Sequence, residues 1–75
     1  MLIIIVKALV DINAAIDINK KDSNYFNQRG FCLDKLERYQ EALNDYESAI
    51  KLDPKHGGVW NDMSALLNLM GYHET

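Results

Sequence analysis

Only one cysteine, Cys32, and one proline, Pro54, stand in the 75 residues of this chain. A lone thiol excludes an internal disulfide and leaves nothing to build a thiolate metal site, and it fits a reducing compartment, here expected to be the cytoplasm. Positive charge is scarce as well: eight Lys and Arg stand against eleven Asp and Glu, a net charge of -3, and the longest basic stretch is Lys20-Lys21. Without a positive face to displace counterions from phosphates, nucleic acid is not an expected partner. Histidine occurs only as His56 and His73, neither with a Cys, Asp or Glu at metal-ligand spacing nor with a nucleophile or orienting acid. Gly57-Gly58 lacks the strand and lysine of a phosphate-cradling loop. No catalytic residue, metal or cofactor is expected, and the chain does not read as an enzyme.

Long apolar runs are missing too. MLIIIV, at Met1 to Val6, is cut by Lys7 and Asp11 well short of the roughly 20 residues of a membrane-spanning helix. No basic stretch precedes it, as a secretory signal would require. It is expected to be a buried or self-associating apolar segment. What is present is the composition of a folded helical protein, 48% hydrophobic and 25% charged. So short a chain makes a marginal core, and oligomerisation is the expected supplement.

Sliding the chain on itself reveals a period of 34: Ala8 meets Ala42, Leu9 meets Leu43, Asp11 meets Asp45, Ala15 meets Ala49, Ile16 meets Ile50, Asn27 meets Asn61 and Leu33 meets Leu67. Phe26 meets Trp60 and Gly30 meets Ser64 as similar pairs. Such a period belongs to a helix-turn-helix repeat. Apolar spacing of three and four predicts helices from Asn24 to about Leu36, capped by Asp22 or Ser23, and from Gln40 to about Leu52, ended by Asp53-Pro54. Gly57 and Gly58 are expected to release the chain into a third, Val59 to about Met70, and the N-terminal stretch to about Asn19 reads as the equivalent of Gln40 to Leu52. Cys32 is expected to be a small packed side chain, and the acidic pairs Glu37 with Glu41 and Asp45 with Glu47 a solvated face.

These residues resemble the tetratricopeptide repeat. Phe26, Gly30, Leu33, Ala42, Tyr46, Ala49 and Pro54 fill its signature in order, making Ser23 to His56 one complete repeat, with Arg29 where the family more often has leucine. Residues 1–22 resemble the second helix of a preceding repeat through Ala8, Ile12 and Ala15, with Lys20 in place of the proline. Residues 57–75 resemble the first helix of a following one through Trp60, Ser64 and Leu67. The resemblance implies an all-α fold of about four helices, antiparallel helix-turn-helix repeats stacked as a short right-handed superhelical solenoid. It implies close helix approach at Gly30, Ser64, Ala42 and Ala49, with Phe26, Trp60 and Tyr46 filling the gaps. A chain that begins and ends in mid-repeat is expected to be a fragment, either a piece of a longer array or an unusually short product.

The implied function is to hold a protein or peptide. In this family the first helices line the concave side, so the resemblance nominates Asn24, Asn27, Gln28, Phe31 and Lys35, followed by Asn61, Asp62, Ala65 and Asn68. The asparagine amides can bond both the N–H and the C=O of an extended backbone. The chaperone-carboxylate clamp found in part of the family is not expected, because Asn27 and Phe31 replace its lysine and asparagine and Asp62 would repel a carboxylate. The alternative is self-association, the last helix of one copy docking on the first of another.

Overall fold

The computed structural model describes residues 2–71, and within them the chain is all-α: α1 (Leu2–Ile18), α2 (Ser23–Lys35), α3 (Tyr39–Leu52) and α4 (Gly57–Leu69). Short turns fold each helix back on its predecessor. Helix α2 packs on α1 and α3, α3 packs on α4, and α2 also touches α4. The helical-repeat fold expected from the sequence is the fold observed.

Local chemistry ends each helix. Asp22 is the N-cap of α2, its Oδ1 accepting from the Asn24 N–H at 2.9 Å, which satisfies one donor that has no partner within the helix. The α2 C-terminus closes in a Schellman motif: the Arg38 N–H bonds the Leu33 carbonyl and the Glu37 N–H that of Asp34, both at 2.9 Å. That motif needs a left-handed residue, and Glu37 takes it at φ 62°. One period later Gly71 takes the same left-handed conformation, at φ 83°, without a Cβ to resist it.

Three helix starts differ from expectation, the first being α2, which begins at Ser23, one residue before Asn24. Helix α3 starts at Tyr39, one residue before Gln40, and α4 starts at Gly57 instead of Val59. The glycines do not release the chain. The turn is already complete at His56, whose N–H bonds the Asp53 carbonyl at 3.1 Å, and first-turn N–H groups need no carbonyl four residues back.

The core joins Leu33 of α2, Ala42, Leu43, Tyr46 and Ala49 of α3, and Val59 and Leu66 of α4. Tyr46, Val59 and Leu66 are fully buried, each side chain gaining on the order of 1.5–3 kcal/mol by leaving water. Cys32 is buried, as expected. Gly30 is small for a reason: a Cβ there would lie 2.7 Å from Tyr46 Cε1, 2.8 Å from its Cδ1 and 3.2 Å from the Ala42 carbonyl oxygen. Ala42 and Ala49 are likewise buried.

Ser64 and Trp60 depart from expectation. Ser64 is exposed, and Trp60 is 46% exposed, its indole N–H donating to the Pro54 carbonyl at 3.0 Å. No described helix lies against that side of α4, so there is no gap for either to fill. The apolar start is not buried either. Leu2, Ile3, Ile4 and Val6 belong to α1 and stand exposed, Ile3 at 83%; Met1 lies outside the described residues.

Two substitutions should move stability in opposite directions. Gly30→Ala, although alanine is the better helix former, should cost about 1–3 kcal/mol by overpacking Tyr46. Glu37→Gly should gain about 1 kcal/mol by relieving the left-handed strain. Urea denaturation followed by circular dichroism measures both, and a stabilised Gly30→Ala variant would contradict the packing argument.

Candidate partner-binding face

Helices α2 and α4 both rest on α3, and this brings two nominated residues together: the Asn27 side-chain N–H donates to Asp62 Oδ2 at 3.2 Å. Both are partly buried at the seam. Phe31 and Lys35, one turn apart on α2, form a second unit, the ammonium 5.0 Å from the ring centroid. Phe31 remains 50% exposed. Asn24, Gln28, Asn61, Ala65 and Asn68 are exposed. The amides of Asn24, Gln28, Asn61 and Asn68 make no side-chain hydrogen bond among the described residues, which leaves their donors and acceptors to solvent.

Two groups near this face escaped the sequence reading. Asp34 lies seven residues after Asn27, on the same side of α2. Tyr46 is fully buried, yet its hydroxyl has no hydrogen-bond partner among the described residues, a state that costs about 1–3 kcal/mol. Burial, then the carboxylates of Asp34 and Asp62, push the Tyr46 phenol above its ordinary pKa.

On the opposite side, Arg29 reaches from α2 to Asp45 of α3 through two parallel bonds, 2.7 Å from Nε and 2.8 Å from Nη2, while its Nη1 donates to Asn13 of α1 at 3.0 Å. Asp45 is 5% exposed, so it is not part of a solvated acidic face as expected. A charge can be taken out of water there because a planar guanidinium matches both of its oxygens. The hydrogen bond to Asp45 holds the Arg29 pKa above its ordinary value, against burial. The signal was available, since an arginine in an apolar helix position needs an acid within reach. This ion pair lines a groove of about 330 Å³ between α1 and α3. Its other cation, Arg38, is paired with Glu41, so the groove offers no uncompensated charge.

Residues 23–56 match the sequence profile of the tetratricopeptide repeat. Those residues are a tetratricopeptide repeat. Part of the chain is 42% identical over 43 residues to dynein axonemal assembly factor 4 of both Rattus norvegicus and Mus musculus, which covers 57% of this chain and 10% of each relative. It is 36% identical over 51 residues to a DnaJ homolog subfamily C member 7 homolog of Dictyostelium discoideum, covering 68% of this chain and 10% of that protein. The chain thus spans about a tenth of the length of these relatives. No solved structure matches it.

Tetratricopeptide repeats generally mediate contacts between proteins. Among the described residues no three His, Cys, Asp or Glu side chains could hold a metal, and no helix is long and apolar enough to cross a membrane. His56 is the N-cap residue of α4 but makes no side-chain capping bond, and His73 lies outside the described residues.

Asp45→Ala should destabilise the repeat by about 2–3 kcal/mol, because it strands the Arg29 charge. Adding Arg29→Leu to that variant should restore most of the loss, as a double-mutant cycle in urea will read. Tyr46→Phe, which removes an unpaired hydroxyl, should leave stability unchanged or raise it by up to about 1 kcal/mol.

Proposed function

We propose that this chain is a protein-interaction scaffold whose α2 and α4 side takes an extended segment of another protein. The observation that carries the proposal is the exposed amides of Asn24, Gln28, Asn61 and Asn68, without side-chain hydrogen bonds among the described residues, on two helices joined at the Asn27–Asp62 bond. An extended peptide presents N–H and C=O groups that such amides can bond whatever the side chains, and Phe31 supplies a half-exposed apolar anchor. In this reading Asn24, Asn27, Gln28, Phe31 and Lys35 act with Asn61, Asp62, Ala65 and Asn68. Residues 1–22 serve as the second helix of a preceding repeat and residues 57–75 as the first helix of a following one. One relative is named for the assembly of axonemal dynein, and a role in holding another protein accords with that name. Exchanging Asn27 and Asn61 for alanine together should lower partner capture about tenfold or more, as two lost hydrogen bonds imply. Quantitative mass spectrometry of captured proteins reads this, and an unchanged capture profile would rule out the amides.

A second reading is favoured by the exposed apolar residues at both ends, Leu2, Ile3 and Ile4 on α1 with Trp60 and Leu69 on α4. Exposed apolar surface of this kind is a site of association. In the 75-residue chain, α4 of one copy then lies on α1 of another, and light scattering should show a dimer or larger species that weakens when residues 1–6 are deleted. A concentration-independent monomer mass would refute it.

A further inference from the structure

The 34-residue period lays α1 over α3, and the two helices share core residues but differ on the side turned to solvent. Where α3 carries Gln40, Asn44 and Ser48, α1 carries Val6, Val10 and Ala14, and where the turn before α3 has Glu37 and Arg38, α1 has Ile3 and Ile4. Ile3, Val6, Val10 and Ala14 follow one another at three, four and four, which makes them a single stripe about 16 Å long at 1.5 Å per residue. Ile3 is 83% exposed, Val6 47% and Val10 61%, and Ala14 is exposed as well. Stacking of repeats does not cover such a stripe. Helix α3 is packed by both α2 and α4, and Gln40 and Asn44 still stand exposed on it. A helix laid on α1 as α2 lies on α3, whether from a preceding repeat or from α4 of another copy, therefore leaves Val6 and Val10 in water.

We propose that this stripe is the contact of a closed dimer, in which α1 of one copy packs antiparallel on α1 of a second through Ile3, Val6, Val10 and Ala14. Charge selects the second copy as the occupant. Lys7 and Asp11 are exposed and have no ion-pair partner among the described residues. They lie along one flank of the stripe, Lys7 in its first half and Asp11 in its second. A two-fold axis between Val6 and Val10 turns that flank onto itself, so each Lys7 comes alongside the other copy's Asp11, and Val6 comes level with the other copy's Val10. A parallel mate sets lysine against lysine and aspartate against aspartate. A lipid surface suits the helix less, because Asp11 and Asp17 outnumber Lys7 on α1, whereas anionic headgroups attract basic helices. The inference goes beyond the α4-on-α1 contact and does not depend on it.

The test is sedimentation velocity on the full chain from about 5 to 500 μM, a range that suits so small a contact, with circular dichroism to confirm that each variant is folded. The chain should pass from monomer to dimer in this range. Val6→Gln with Val10→Asn, which writes the α3 residues into α1 without loss of helix propensity, should weaken the dimer about tenfold or more. Lys7→Glu and Asp11→Lys should each weaken it about threefold, and an equimolar mixture of the two variants should regain the original affinity. Charge variants without effect overturn the antiparallel arrangement. Association that survives in the valine pair but is lost in Trp60→Ala with Leu69→Ala overturns the inference and spares the α4-on-α1 contact. A monomer at every concentration overturns both. Flotation of a monomeric chain with phosphatidylcholine vesicles, abolished in the valine pair, assigns the stripe to lipid and overturns the dimer.

Discussion

The close seating of Tyr46 on Gly30 is the contact from which the rest of the arrangement follows. With no side chain at residue 30, the ring lies against bare helix backbone, closer than any Cβ would allow, and α2 and α3 approach to their limit. Tyr46 then shares the core with Val59 and Leu66, which fixes α4 on α3. Two helices held by one side chain come to lie beside each other, so α2 and α4 meet at Asn27 and Asp62. The candidate face exists because a buried ring organises the helices beneath it. The ring's own hydroxyl is buried by this packing without a hydrogen-bond partner among the described residues.

The joint with α1 is made differently. Where the repeat pattern favours leucine, Arg29 ties α2 to Asp45 and reaches across to Asn13. An apolar contact would tolerate many helices in that place. A guanidinium with fixed donor directions demands an acceptor at a particular point on the incoming helix, so it contributes specificity of docking more than stability. One period on, Met63 stands at the Arg29 position and packs against the core, so successive joints in the same chain follow different rules.

Much of this was legible in the residues. The period of 34, the cap at Asp22, the stop at Asp53-Pro54 and the need for a small Gly30 each rest on local chemistry that a sequence displays directly. What the sequence hid depends on neighbours. Trp60 and Ser64 have core-type identities, yet they are exposed because burial belongs to whatever lies across from a helix. Asp45 looked like surface charge until Arg29, 16 residues away, was brought against it. Asp34 and the Tyr46 hydroxyl went unnoticed for the same reason, since a helical face seen alone gives no sign of the ring that arrives beneath it.

The size of the face sets how strongly it can act. Free amides on Asn24, Gln28, Asn61 and Asn68, each worth about 0.5–1.5 kcal/mol net, together with the exposed half of Phe31, must offset the loss of translational freedom and the ordering of an extended segment. The surplus corresponds to dissociation constants no tighter than roughly micromolar. Tight capture therefore requires the face to be extended, either by further repeats or by a second copy. Each added site then acts at high effective concentration once the first is engaged. For a repeat of this kind, a small face implies weak binding alone and strong binding only in an array.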